Sequence, residues 1–529
     1  MTTTQRFDAI VIGAGSNGTV AAAALAKAGR RVLVLEQAES LGGQSRSIEF
    51  APGFHAPLST EADWLPPPIA RGLGLTTVAV TQPQVSVALV TSQNECLELW
   101  CDPARSADAI RRHSPHDAAR WESFARQLGK LAAFLEVLYQ LPPPDIDSAS
   151  IGDIGALIGV ARKFRSLGRA DMSELLRVLP MSVQDLLDDV FESELVKAAV
   201  GAGGVRDIRQ GPRSGGTSFV LLHHLVGAPT GSVRARSWWR EGPHVFVDAV
   251  QAVARHHKVE FRAGSAVLRI LVRDDAVTGI ALASGEEIAA PVVLSTADPA
   301  RTLLGMIDPV WVDPEFLHAL RNIKFRGCTA VVQYALDHLP PVPVLASAAQ
   351  PLAGIVSLTP SLEALERAYD AAKYGGVSTE PHVEISVPTL RWPSLAPPGK
   401  HVLVARVQYA PYQLRDGTWD AARSCALGDA TTRAITRVVP QFTDSVLYRA
   451  VLTPRDLEAR FGLTEGAVTQ GELMLDQILF MRPVAGWGRY SMPIDGLYLG
   501  GAGAHPGPGV LGGAGWLAAR EVVRRAKRT

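Results

Sequence analysis

FDAIVIGAGSNGTVAAAALAKAGRRVLVLE, residues 7–36, sets the architecture of this chain. Phe7–Ile12 reads as a short buried strand. Gly13, Gly15 and Gly18 then form G-x-G-x-x-G, Thr19–Ala28 is a helix of small residues, and Gly29 closes it. Val32–Leu35 is a second apolar strand with Glu36 at its end. Each part has a physical task in a dinucleotide site. Gly13 permits the tight turn out of the strand, Gly15 lets the backbone approach a pyrophosphate, and Gly18 lets the helix pack closely on the sheet. Phosphates then meet the free N–H groups and positive dipole end of the helix, where Ser16 and Asn17 stand. Glu36 lies eighteen residues beyond Gly18. That is near the spacing of about 20 at which a carboxylate meets the ribose hydroxyls, and Gln37 follows it. A tight turn without a ligand would leave Glu36 unexplained.

The 529 residues exceed one typical domain and fit about two to four. Apolar residues make up 47% and charged ones 20%, a balance that builds a large core and argues against disorder. Lysine plus arginine and aspartate plus glutamate each number 52. There is thus no overall basic field, and nucleic acid is not an expected partner. The basic tail Arg524-Arg525-Ala526-Lys527-Arg528 reads as a solvated helix end. Cys96 and Cys101 bound an apparent strand, CLELWC, whose alternation sends them to opposite faces, so a redox dithiol is not expected. Only polar residues precede the first strand, which gives no signal or transit peptide. No apolar run reaches the length of a membrane span. The expectation is a cytoplasmic protein, either free or peripheral at a membrane.

Beyond the ribose acid, Leu41-Gly42-Gly43-Gln44-Ser45 supplies a second flexible, donor-rich loop suited to a cofactor longer than one nucleotide. Here the sequence resembles the FAD-binding oxidoreductases of the phytoene desaturase, carotenoid isomerase and ketolase group. The resemblance is carried by DAIVIGAGSNG, VLVLEQAESLGGQS, PGF at Pro52–Phe54 and GPRSGGTSFVLLHH at Gly211–His224. It continues in VVLSTADP at Val292–Pro299 and GLYLGGAGAHPGPGVLGGAG at Gly496–Gly515.

The resemblance implies FAD as cofactor and an α/β fold. A glutathione-reductase-like Rossmann FAD-binding domain would be assembled from 1–75, 240–300 and 470–529. A second, discontinuous α+β substrate or cap domain would come from 76–239 and 301–469. It assigns cofactor contacts to Gly13, Gly15, Ser16, Asn17, Gly18, Glu36 and Gln37, and to Gly42, Gly43, Gln44 and Ser45. Backbone near Val267 would hold the adenine edge, and Gly501, Ala502, Gly509 and Val510 of the closing segment would meet the ribityl chain and ring. Ala502 departs from the pattern, since many flavoproteins carry an acid there. The helix expected over Leu511–Arg525 would point its N-terminus at the flavin. In disulfide reductases the cysteine pair follows directly on the glycines after the ribose acid, where Gln44 and Ser45 stand here.

Along the rest of the chain, Gly42–Gly74 is a loop-rich stretch in which His55, Ser59 and Glu61 read, one by one, as surface positions. Strands are expected within Val78–Trp100, and a helix over Ser106–Leu141 with one apolar stripe: Trp121, Phe124, Leu128, Leu131, Leu135 and Leu138. Ile151–Ala199 reads as two or three helices. The first, Ile154–Leu167, carries Arg162, Lys163 and Arg165 near its end and is either interfacial at a membrane or a core helix. Of His223 and His224, one packs and one is exposed. A helix over Pro243–His256 leads to a strand and a three-stranded meander ending near Leu294. Further strands fall near Ala330–Leu336, His382–Pro388, His401–Ala410 and Asp495–Leu499, with a helix over Trp419–Val438.

The implied activity is hydride transfer from a hydrophobic small molecule, polyene or lipid-like, to flavin N5. His505, inside the closing segment, is the candidate catalytic group, with a pKa suited to proton transfer near neutrality. Three alternatives remain open: a redox-neutral isomerase, an amine oxidase on the same fold, and a flavin-bearing scaffold that binds a partner or membrane. No H-E-x-x-H and no zinc-spaced Cys/His cluster occurs, so no metal is expected.

Overall fold

The opening strand, Ala9–Ile12, lies at the centre of a five-stranded parallel sheet in the computed structural model, which describes residues 7–76, 78–144, 151–229, 231–345 and 349–527. Val32–Leu35 and then Glu260–Arg262 flank it on one side, Val293–Ser295 and Leu497–Leu499 on the other. Ile10 aligns with Leu33 and with Val293, so strands far apart in sequence share one register. The AIVI, VLVL and LYL strands are buried on both faces, as uninterrupted apolar runs in a parallel sheet require. Two helices cover one face, Ser16–Lys27 and Gly513–Ala526, and the side chains they bury on each other are mainly alanine, valine and leucine. The meander forms as expected from Val267–Arg273, Ala276–Leu282 and Glu287–Ala289. The run Glu287–Leu294 is two strands, because the chain leaves the meander at Ala289 and joins the parallel sheet at Val293.

A seven-stranded sheet stands over the other side of the crevice. Its order is Val446–Leu452, Thr329–Leu336, His401–Gln408, His382–Ser386, Val356–Ser357, Val85–Val90 and Cys96–Trp100. Both long excursions of the chain therefore contribute to one sheet, joined where Val356 runs parallel to Ala88. Cys96 and Cys101 are free.

Against this sheet packs a helical layer. The single helix expected over Ser106–Leu141 is two, Pro103–Arg111 and Pro115–Tyr139. Ser114 caps the second by accepting the Asp117 N–H at 3.1 Å, and Pro115 at the first helical position starts it, having no N–H to lose. The apolar stripe faces inward: Trp121, Phe124, Leu128, Leu131 and Leu135 are buried and Leu138 partly so. Each such side chain contributes about 1.5–3 kcal/mol by leaving water. Ile151–Ala199 holds four helices, Ile151–Ser166, Gly168–Val178, Val183–Asp188 and Glu194–Gly201, broken at Leu167, at Leu179–Ser182 and before Ser193. The side chains of 151–154, 156 and 157 lie outside the described set, as do 1–6 and Arg528. No described helix is long and apolar enough to cross a membrane.

Candidate active site

Where strand order reverses about a central parallel strand, a crevice opens beyond the strands' carboxyl ends. Here that crevice is a cleft of about 260 Å³. Its floor is the opening turn. Gly13 has φ +94° and donates its N–H to the Leu35 carbonyl at 2.8 Å, and a Cβ on Gly13 would stand 2.6 Å from Thr296 Oγ1. A Cβ on Gly18 would lie 1.9 Å from the Gly13 carbonyl oxygen, so the helix rests directly on the turn. Gly15, Ser16 and Asn17 line the cleft at the helix N-terminus. Asn17 also accepts the Gly515 N–H on its Oδ1 at 3.2 Å, tying the first helix to the last.

Glu36 is 8% exposed and accepts two backbone N–H groups, Ala14 at 2.9 Å and Ala38 at 3.0 Å. Gln37 and the Gly42–Ser45 loop line the same cleft, as do Val267, Ala502, Gly509 and Val510. Two predicted residues do not. Gly18 sits beneath the turn, and Gly501 is packed so that a Cβ would meet the Thr296 carbonyl oxygen at 2.4 Å. Both are packing positions.

The residues fit FAD. Gly15 and Gly43 face each other with a Cβ on Gly43 only 3.1 Å from the Gly15 Cα, leaving bare backbone where a pyrophosphate approaches. A carboxylate offers about four acceptor sites, and Glu36 uses two on its own backbone. Two remain for ribose hydroxyls.

His505 is corrected by the structure. It is 3% exposed and does not line the cleft. Its Nε2–H donates to the Leu138 carbonyl at 3.2 Å and its ring stands edge-on to Tyr139. Burial pushes its pKa down to about 4, so it is a neutral ring at physiological pH and not a proton-transfer group poised near neutrality. Sharing the closing segment with the cleft's lining does not expose it.

Neither adjacent histidine is free in solvent. His223 is 3% exposed, donates from Nε2 to the Pro508 carbonyl at 2.9 Å and accepts from the Tyr139 hydroxyl on Nδ1 at 2.7 Å. His224 is half-buried with both ring nitrogens sealed from solvent, and burial, with His223, Arg236 and Arg206 nearby, holds its pKa well below the ordinary value.

Three arginine-bearing features escaped the sequence reading. Arg482 is fully buried and donates only to backbone carbonyls, those of Ala502 (2.8 Å), Gln477 (3.1 Å), Gly471 (3.2 Å) and Thr469. Burial lowers its pKa to about 10. A guanidinium thus stands immediately behind the position where Ala502 replaces an acid.

The second feature surrounds Glu61, which with Ser59 lines the cleft and is no surface residue. Arg206 bonds it at 3.0 Å and Arg236 at 3.0 Å; Arg236 also holds Asp63 at 3.0 Å. Burial alone would raise the Glu61 pKa, but the two guanidinium groups overcome it and hold the carboxyl at about 2.

The third is a small chamber of about 30 Å³ whose lining shares Ser59 and Glu61 with the cleft. Its lining mixes apolar side chains, Val331, Ile355, Ile385 and Val404, with Arg206, Arg406 and Glu384, and Arg406 stands in register with Val331 on one neighbouring strand and Glu384 on the other. No local signal marks these residues, whose partners lie 145 or more positions away.

The comparisons with known proteins agree with this geometry. The family described as NAD(P)-binding Rossmann-like domain matches residues 11–70, the opening turn and the loop after Glu36. Pyridine nucleotide-disulfide oxidoreductase domain-containing protein 2 of Rattus norvegicus is 32% identical over 98% of this chain and 94% of its own. A phytoene desaturase of Neurospora crassa is 24% identical over 96% of this chain and 83% of its own. Cyclohexylamine oxidase from Brevibacterium oxydans shares the fold at a TM-score of 0.57 and 16% identity, over 99% of this chain and 100% of that one. The chain belongs to the family of pyridine nucleotide-disulfide oxidoreductase domain-containing protein 2, and it is an FAD-dependent oxidoreductase related to the phytoene desaturases.

Proposed function

We propose that this oxidoreductase is a dehydrogenase of the desaturase type, taking hydride from the carbon skeleton of a largely hydrophobic small molecule. FAD, when bound, supplies the hydride acceptor at its N5. Gly13, Gly15, Ser16 and Asn17 would hold its pyrophosphate at the helix N-terminus, with Gly42, Gly43, Gln44 and Ser45 opposite. Glu36 and Gln37 would take the adenosine ribose, Val267 the adenine edge, and Ala502, Gly509 and Val510 the ring end. In this reading 1–75, 240–300 and 470–529 serve the cofactor, while 76–239 and 301–469 form the substrate domain.

The observation that carries the substrate side is the set of apolar side chains, Val331, Ile355, Ile385 and Val404, lining a chamber that shares Ser59 and Glu61 with the cleft. Those side chains would exclude water and orient an apolar body. Arg482, behind Ala502, would favour negative charge accumulating at the ring end of the cleft. With His505 neutral and buried, proton release falls to the substrate's own acidity and to solvent at the cleft mouth. An amine substrate finds less support. The chamber's lining carboxylates, Glu61 and Glu384, are already paired with guanidinium groups, so neither is free to receive an ammonium group.

Anaerobic mixing of the yellow holoprotein with a panel of unsaturated and alicyclic compounds tests the reading. Bleaching of the flavin band with formation of a dehydrogenated product supports it. Isomerised product without net bleaching would replace it with the redox-neutral reading, and bleaching only by amines would replace it with the amine-oxidase one.

A further inference from the structure

The charge balance of the chamber is uneven, and the unevenness has an address. Arg206 is neutralised by Glu61 through two hydrogen bonds, 3.0 and 3.2 Å. Arg234 is paired with Glu384 and also donates to the Ala199 carbonyl at 2.9 Å. Arg236 is shared between Glu61 and Asp63. Arg391 donates one N–H to the Thr60 carbonyl at 2.8 Å and lies between the rings of Trp238 and Trp392. Two nitrogens of Arg391, Nε among them, are also buried without a partner, but Arg391 does not line the chamber, and Arg406 does. One of the terminal nitrogens of Arg406 meets Asp207, which Arg206 also approaches at 3.7 Å, while its buried Nε has no partner. The side chain keeps 19% of its surface, and it lines the chamber. Burial and the neighbouring Arg206 push its pKa down to about 9, as expected of a cation whose compensation is incomplete.

The chamber is also the right size for something small and flat. A volume of 30 Å³ accommodates roughly two water-sized groups, the footprint of two carboxylate oxygens. Arginine presents a planar fork that matches a carboxylate in geometry as well as charge. Glu61 and Glu384 stand at the chamber already engaged by arginines, so they do not need to be expelled. Val331 and Val404, beside Arg406 on the same sheet, would meet the first carbons as the chain turns toward the cleft.

We propose that Arg406, with Arg206 beside it, forms a subsite for a substrate carboxylate, so that the molecule oxidised is an amphipathic acid, its acid end in the chamber and its carbon chain toward the cleft. This rests on the dehydrogenase reading above for the word substrate, but not for the existence of the anion site.

The test titrates the holoprotein with octanoate, methyl octanoate and octylamine, following the flavin absorbance difference spectrum. Octanoate is expected to perturb the spectrum saturably, with the ester and the amine weaker by at least roughly tenfold, the factor carried by one charge-assisted hydrogen bond. Arg406→Met is expected to weaken octanoate by a similar factor while flavin content and the ester response stay as they were, and Arg406→Lys to recover part of the loss. An ester that binds as well as the acid, or an Arg406→Met protein that binds octanoate undiminished, overturns the proposal. If Arg406→Met loses its flavin, the acid-against-ester comparison on the unchanged protein decides alone. Selective octanoate binding in a protein that no compound bleaches would defeat the dehydrogenase reading and leave the carboxylate site standing. Bleaching by neutral compounds without preference for acids does the opposite.

Discussion

The Nε–H of Arg482 donates to the carbonyl oxygen of Ala502 at 2.8 Å, joining a fully buried cation to the backbone that lines the cofactor cleft. All four acceptors around this guanidinium are main-chain carbonyls. Replacing it by methionine keeps much of the volume and strands those carbonyls. Each unsatisfied buried group costs about 1–3 kcal/mol, so Arg482→Met should destabilise the protein by at least about 3 kcal/mol in urea unfolding. It should also release flavin on gel filtration. Unchanged stability with full flavin content would show the carbonyls finding other donors.

Glu36 presents a different balance. Its carboxylate satisfies the N–H groups of Ala14 and Ala38 whether or not a ribose is bound. Glu36→Ala should therefore lower the melting temperature of the flavin-free protein as well as abolish flavin retention. Glu36→Gln keeps one acceptor oxygen and should retain much of the stability while binding flavin weakly. Calorimetry on stripped protein, paired with flavin absorbance per chain, separates the two effects.

Gly18→Ala asks for a methyl group 1.9 Å from the Gly13 carbonyl oxygen. Both atoms belong to the turn itself, so nothing flexible can yield, and helix and strand must separate. Overpacking of this kind costs about 1–3 kcal/mol or more. The expected outcome is low soluble yield or a colourless protein; a yellow variant of ordinary stability would contradict the close seating of helix on turn.

Acid should destabilise the fold before ordinary carboxylates titrate. Burial holds His223 at about 3 and His505 at about 4, whereas an unfolded histidine takes up its proton below about 6.5. Between those values the unfolded chain binds more protons, so stability falls as pH falls, by roughly 2 kcal/mol per histidine between about pH 6.5 and 5. Glu61, held at about 2 against an ordinary 4.5, adds loss of the same sign lower down, its contribution present above 4.5 and gone below 2. Thermal melts near pH 7 and pH 5 should differ by several degrees, and His505→Phe should narrow the gap. A flat profile across this window would mean that the rings are protonated in the native state.

The cofactor cleft was legible because its parts are local. Strand, glycines, helix and Glu36 follow one another within thirty residues, and glycine spacing reports backbone approach whatever the rest of the chain does. The same locality explains the clean reading of Val32–Leu35, whose apolar run is the signature of a strand buried on both faces. The division at Ser114–Pro115 also had its signal in a cap followed by proline, and the apolar stripe from Trp121 to Leu138 lies wholly beyond it. The chamber was not legible. Glu384 and Arg406 are paired across neighbouring strands, but Glu61 and Arg206 reach them from loops elsewhere in the chain, and no spacing rule reaches across 145 residues. His505 failed for another reason: position within a segment that touches the cofactor does not say which way a side chain turns, and this one turns toward Leu138 and Tyr139.

Asn17 and Gly515 are bonded across 498 positions of chain. During synthesis at roughly 5–20 residues per second, the amino-terminal turn therefore waits on the order of tens of seconds for the helix that braces it. Until then the ribosome holds a half-built nucleotide pocket with its apolar sheet uncovered. A cleft closed by its last helix makes flavin capture a late event in the life of the nascent chain.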